Sequence, residues 1–326
     1  MTFKEYFENN PVAQGLQGRD LIYMDDFSQE EILETLNLAK LMKTGVINRC
    51  EQTKILTGQS LAEIFEKPSL RTRTSFETGI YQLGGHGMYL SPAEIGLGKR
   101  ESVHDVANVL ARITDIIMAR VFDNKTVVDL AKYSSKPVIN ALCDKEHPCQ
   151  VLADIETVIE HKGTDFNNLK FTYVGDGNNM CNSLLIICSK LGINFACACP
   201  EGYLPTDDYV TKAENYAKAK GSFIQVETDP IKAVVGSDIV YTDVWASMGQ
   251  EEETAKRAVI FADYQVNSKL MGYAKSDACF MHCLPAHRGS EVTDEVMDCA
   301  QSIVFDEAEN RLHAQKAVMA LLGNRF

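Results

Sequence analysis

Short apolar runs alternate with helix-period stretches along most of the chain, and that alternation leaves few folds open. Runs that read as buried strands fall at 61–65, 86–91, 116–121 and 137–140, then again at 170–174, 193–197, 222–226, 239–242 and 278–281. Helical patterns lie among them at 69–83, 101–112, 179–191, 209–220 and 230–236. Strands spaced by helices pair in parallel through right-handed crossovers. Ahead of the first run, Ser28-Gln-Glu-Glu31 is a capping box, opening a helix whose Ile32, Leu33, Leu36, Ala39 and Met42 share one face. The series restarts near 140–150, and 326 residues suffice for two ordinary cores. The expectation is an α/β chain of two doubly wound parallel-sheet domains joined by bridging helices. They span 1–145 and 146–306, with helix 148–161 bridging the halves and the C-terminal helix, 307–326, packing back on the first. No low-complexity segment or short-period repeat interrupts the pattern.

In such open sheets ligands sit beyond the carboxyl ends of the strands, and the chemically distinctive segments fall there. Leu61 to Phe65 stops at Lys67-Pro68, and a helix then opens with Ser69, Leu70, Arg71, Thr72 and Arg73. The first amides of a helix have no partner within it, and Pro is well tolerated there. Those N–H groups, the hydroxyls and the forked guanidiniums together suit a small phosphate. The segment lacks the Gly-rich turn ending in Gly-Lys-Ser/Thr that marks a nucleotide P-loop. A formal charge of −13 argues against a general nucleic-acid binder, so the cations that meet an anion must be concentrated locally.

Ten cysteines occur with no Cys-x-x-Cys pair, and several, such as Cys188, Cys197, Cys199 and Cys279, lie inside apolar runs. They read as small buried hydrophobes in a reducing compartment, with neither a disulfide framework nor a zinc site. No apolar run approaches the roughly 18 residues that span a bilayer. The start, Met1-Thr-Phe-Lys-Glu5, has no signal-peptide or transit-peptide pattern, so a cytoplasmic location without membrane attachment is expected.

Further polar groups follow later strands. Arg120 ends the run 116–121, and His147-Pro-Cys-Gln150 leads from a loop into a helix, where His can donate to a carbonyl and Gln can both donate and accept. Gly175-Asp-Gly-Asn-Asn179 turns from strand to helix without the Gly-x-Gly-x-x-Gly fingerprint, which counts against a dinucleotide and against a dehydrogenase. Its Asn178 and Asn179 amides suit a small polar ligand better. Tyr241-Thr-Asp-Val-Trp-Ala-Ser-Met-Gly249 places Asp243, Ser247 and Met248 beside the chain's only Trp, with a carboxylate that can hold an ammonium group. Met281-His-Cys-Leu-Pro-Ala286 ends the last strand at Cys283 and Leu284, and Glu309-Asn-Arg311 sits in the final helix.

Taken in order, Ser69–Arg73, Arg120, His147-Pro-x-Gln150, Gly175–Asn179, Asp243–Gly249, His282-Cys-Leu-Pro-Ala286 and Glu309–Arg311 resemble the ornithine carbamoyltransferases within the aspartate and ornithine carbamoyltransferase superfamily. The resemblance runs from about residue 20 to 323. It implies transfer of a carbamoyl group from carbamoyl phosphate to the δ-amine of L-ornithine, giving citrulline and phosphate, with no metal or organic cofactor. A related transferase acting on putrescine or an N-acylated ornithine is the alternative. By the resemblance, Ser69, Leu70 (through its backbone), Arg71, Thr72 and Arg120 hold the phosphate. His147, Gln150, Arg311 and the Cys283–Leu284 carbonyl region polarise the carbamoyl group, while Asn179, Asp243, Ser247 and Met248 hold the amino-acid end of ornithine. Cys283, Arg71, Arg120 and His147 are the expected catalytic residues.

The resemblance also implies a homotrimer with active sites near subunit interfaces. One position departs from the family pattern. The loop 91–100 usually carries Gln or His ahead of Leu-Gly, lent to a neighbouring subunit's phosphate site; here that position is Gly96. Either Lys99 or Arg100 substitutes or the shared-site contact is weakened, and Gly96→Gln is expected to be tolerated.

Overall fold

The computed structural model describes residues 1–98, 100–246 and 251–326. The chain forms two compact units, Met1–Glu156 with Glu309–Phe326, and Thr157–Ala308. Both boundaries fall inside helices, Pro148–Lys162 and Val304–Gly323. Each unit is built on its own parallel sheet, so the doubly wound α/β architecture expected from the alternation is the one observed.

The first sheet contains β1 (Ser60–Phe65), β2 (His86–Leu90), β3 (Ile116–Arg120) and β4 (Val138–Leu142), in the order β2-β1-β3-β4. Strands β1, β3 and β4 are buried almost throughout, as parallel strands covered on both faces must be. Pairing runs from Leu61 with Ile116 to Phe65 with Arg120. Between β3 and β4 the register shifts at Ala119–Arg120, an irregularity of the kind that re-aims a side chain at a strand end. Leu110, Val127 and Leu130 from the helices Val103–Ile113 and Asn124–Tyr133 share a core with Ile64, Ile117 and Val138. The helix Leu70–Gln82 meets the final helix closely at Gly79, where an added Cβ would lie 2.8 Å from Met319 Cε.

The second sheet contains β5 (Lys170–Val174), β6 (Asn194–Ala198), β7 (Ile224–Glu227), β8 (Ile239–Thr242) and β9 (Cys279–His282), in the order β7-β6-β5-β8-β9. Its core joins Val174, Ala196, Val240 and Phe280 to Phe261, Leu270 and Val296. In both sheets the chain winds outward and then returns to the other side. The order therefore reverses between β1 and β3 and again between β5 and β8, which opens a crevice at those carboxyl ends.

Several elements differ from their sequence-based limits by one to three residues. The run at 222–226 becomes a strand only at Ile224, because the Ser222 amide is spent closing the preceding helix on the Ala217 carbonyl. The last helix starts at Val304, ahead of Glu307. The helix Asn124–Tyr133, capped by the Asp123 side chain on the Lys125 amide, was not expected; its polar first turn obscures the apolar face. Among the described residues no helix is long and apolar enough to cross a membrane.

One core position breaks the pattern. Glu63, in the middle of β1, is fully buried and neither carboxyl oxygen has a hydrogen-bond partner. Burial, reinforced by the nearby Glu77 carboxylate and opposed by Arg73, pushes its pKa from 4.5 up to about 8. The folded chain keeps this proton in a range where the unfolded chain has released it. The stability cost is therefore absent below pH 4.5, grows with pH and is complete above about 8. Glu63→Met should raise stability at pH 9 by on the order of 3 kcal/mol and flatten the decline between acid and alkaline pH. Urea denaturation across that range checks it, and an unchanged slope would show that Glu63 is not its source.

Candidate active site

In the first unit, the switch point gathers most of the residues singled out there. Ser69 is the N-cap of the helix Leu70–Gln82, its side chain accepting from the Thr72 amide at 3.3 Å. Leu70 follows with its side chain 72% exposed, which leaves its backbone as the part that faces inward chemistry. Thr72 is buried, and its hydroxyl oxygen accepts from two guanidiniums, Arg120 Nη1 and Arg311 Nη2, each at 3.3 Å. Arg311 Nη1 also donates to Gln150 Oε1 at 2.6 Å, and Gln150 Nε2 donates to Asp154 Oδ1 at 2.8 Å. With its amide oxygen facing Arg311, Gln315 accepts from Nε at 3.0 Å and from Nη2 at 2.7 Å.

His147 lies in this cationic cluster, nearly fully buried. Burial, then Arg311, Arg120 and Arg71, hold its pKa well below the ordinary 6.5. The ring is thus a neutral imidazole, with one nitrogen to donate and one to accept. Asp154 and Gln315 were not singled out in the sequence. Each stands four residues after a member of the cluster, on the same helical face as Gln150 and Arg311 respectively, and that spacing is the signal that could have found them.

In the second unit, the other switch point centres on Asp243, just beyond β8. Its Oδ2 accepts from Asn178 Nδ2 at 2.9 Å, and its Oδ1 from the Val244 amide at 2.8 Å and from Cys283 Sγ at 3.0 Å. Asn178 is also the N-cap of the helix Asn179–Leu191, its Oδ1 accepting from the Met180 and Cys181 amides. Asn179 is the first residue of that helix, its Oδ1 on the Met180 amide at 3.0 Å. The side chain that reaches Asp243 is thus Asn178, the neighbour of the one carried over from the resemblance.

Cys283 is half-buried, and Leu284 takes a left-handed φ of 55°, with its amide donating to His282 Nδ1 at 2.9 Å. That contact leaves His282 Nε2 to carry the proton toward buried Glu291 at 3.2 Å. Ser247 and Met248 lie outside the described residues, as does Lys99. Arg257, missed in the sequence, donates to the Trp245 carbonyl at 2.8 Å and to Asp176 at 2.7 Å, tying the chain that leaves β8 to the turn after β5. Its spacing from Glu253, which it also meets at 2.9 Å, was the available hint.

Gly96 has a φ of +58°, and an added Cβ would lie 2.8 Å from Arg100 Cβ. The tolerance expected for Gly96→Gln is therefore corrected: the left-handed backbone disfavours any side chain here.

The fold and these two polar clusters define an α/β protein with a guanidinium-rich crevice in one unit and a carboxylate-centred one in the other. Comparison with known proteins makes that class specific. Residues 19–160 match the carbamoyl-P binding domain of the aspartate/ornithine carbamoyltransferases, and residues 167–322 match the Asp/Orn binding domain. An ornithine carbamoyltransferase of Thermococcus kodakarensis is 54% identical over 94% of this chain and 97% of its own length. The ornithine carbamoyltransferase structure from Pyrococcus furiosus superposes with a TM-score of 0.91 at 51% identity, covering 94% of this chain and 98% of that one. The anabolic enzyme of Campylobacter jejuni gives 0.87 at 38% identity, over 92% and 97%. The chain belongs to the aspartate/ornithine carbamoyltransferase family.

Two outcomes follow from the geometry. An NMR titration should show the His147 ring remaining neutral as pH falls through 6.5. Because the folded state takes up that proton later than the unfolded chain, stability intact above 6.5 should decline below it. A ring that titrates at its ordinary value would place His147 outside the guanidinium cluster. Gly96→Gln should lower folding stability by about 1–2 kcal/mol, read as a reduced urea midpoint.

Proposed function

We propose that this chain transfers the carbamoyl group of carbamoyl phosphate to the δ-amine of L-ornithine, releasing L-citrulline and phosphate. The observation that carries the reading is near-complete coverage by ornithine carbamoyltransferases at about half identity, with every described candidate residue of both clusters present. Ser69, the Leu70 amide, Arg71, Thr72 and Arg120 bind the phosphate. Arg311, Gln150 and neutral His147 face the carbamoyl group, and Asp243, with Asn178 and Asn179 beside it, takes the α-ammonium end of ornithine. Ser247 and Met248 join that end by resemblance.

Attack forms a bond from the amine nitrogen to the carbamoyl carbon, and the bond from that carbon to the phosphate oxygen breaks. Charge builds on the carbonyl oxygen and on the departing phosphate, where fixed donors do most when they need no reorganisation. A neutral His147 can donate to the oxygen without bringing a proton that would protonate the amine. The δ-ammonium, with a pKa of about 10.4 as in lysine, must lose one proton before attack and another as the product forms. Cys283, hydrogen-bonded to Asp243, orients the amino-acid end. The family resemblance also supports a homotrimer in the cytoplasm, to be checked by sedimentation and cell fractionation.

Steady-state assays with carbamoyl phosphate and each of ornithine, N-acetylornithine, putrescine and aspartate test the substrate. Ornithine should be favoured in kcat/KM by a factor on the order of 100 or more, and a preference for another amine would overturn the reading. Arg71→Ala should cost roughly 3–5 kcal/mol in kcat/KM for carbamoyl phosphate. Asp243→Asn should raise the ornithine KM by about ten- to a hundredfold, and change carbamoyl-phosphate binding far less. Equal weakening of both substrates in calorimetry on the folded variant would make Asp243 structural.

A further inference from the structure

Three cysteines that the transfer reaction does not use meet in the second unit. Cys197 lies in β6 and Cys199 just beyond its end, so they project to the same side of the strand. Cys181 comes from the first turn of the helix Asn179–Leu191. All three are fully buried, and their sulfurs lie within 4.8 Å of one another. No linear motif announces this trio, because an i, i+2 pair is completed by a residue sixteen positions earlier on another element.

We propose that Cys181, Cys197 and Cys199 form a three-sulfur site for a soft monovalent cation, of which Cu(I) is the natural representative. Metal–thiolate bonds of about 2.3 Å would set the sulfurs of a planar three-coordinate ion about 4.0 Å apart, inside the spacing observed. Three thiolates select soft cations. Zinc asks for a fourth ligand in a tetrahedron, and the nearby Asp176 carboxylate is already held by Arg257 at 2.7 Å. On binding, three S–Cu bonds replace three S–H bonds and the protons leave to solvent, so uptake strengthens with rising pH. The positive end of the helix that carries Cys181 offsets part of the thiolate charge.

The test titrates reduced, oxygen-free protein with Cu(I) held by bicinchoninate, a coloured chelator, and reads uptake as lost absorbance. One equivalent should pass to the wild type and to the Cys50→Ser and Cys283→Ser variants. Cys181→Ser and Cys197→Ser should bind at least about tenfold more weakly. Equal uptake by all five proteins would overturn the site, and a preference for Zn(II) in the same competition would overturn the monovalent assignment. X-ray absorption on the wild-type complex needs no variant: three sulfur neighbours are expected, and a two-coordinate or nitrogen-containing shell sinks the proposal.

Discussion

Reversal of strand order is the constraint on which both candidate sites depend. A parallel sheet buries its strands on two faces, so polar groups that must meet a ligand can gather only at the strand ends. Where neighbouring crossovers leave on opposite faces, the loops part and a crevice opens. In the first unit this happens between β1 and β3, with the Ser69–Arg73 segment after one and Arg120 at the end of the other. In the second it happens between β5 and β8, with Asn178 after one and Asp243 after the other. Residues far apart in sequence converge because topology leaves them no other opening.

Electrostatics then separates the two crevices. The chain carries thirteen more acidic than basic charges, yet Arg71, Arg120 and Arg311 all act on one buried histidine. Holding several guanidiniums near one another costs free energy unless an anion joins them. Thr72 and Gln150 supply oxygens that hold Arg120 and Arg311. In the second unit the sign is inverted: Asp243 is a buried carboxylate satisfied by an amide, a backbone N–H and a thiol, none of them charged. Among the described residues its partners are neutral donors, so its charge is open to a cation.

Much of this was legible before the structure. The strands at 170–174 and 239–242 and the helix at 179–191 were readable closely, because runs bounded by Gly, Asn or Asp leave little choice of where they end. Strand ends were less legible, since whether Ser222 joins a strand or closes a helix depends on a hydrogen bond to Ala217 that no composition reveals. Among site residues, Arg311 and Thr72 were found through motif resemblance. Arg257 escaped because a cation beside Lys256 in a short helix reads as surface until its partners Asp176 and Trp245 are brought beside it. The same holds for the thiol trio, whose members read singly as small core residues.

The left-handed backbone at Gly96 constrains how this loop can change over time. A side chain placed there meets both the left-handed backbone and the Arg100 Cβ. A side chain at 96 is therefore accommodated best when the loop backbone or position 100 shifts with it. Position 96 and position 100 are thus coupled through the shape of the loop, so that a change at one is best judged together with the other.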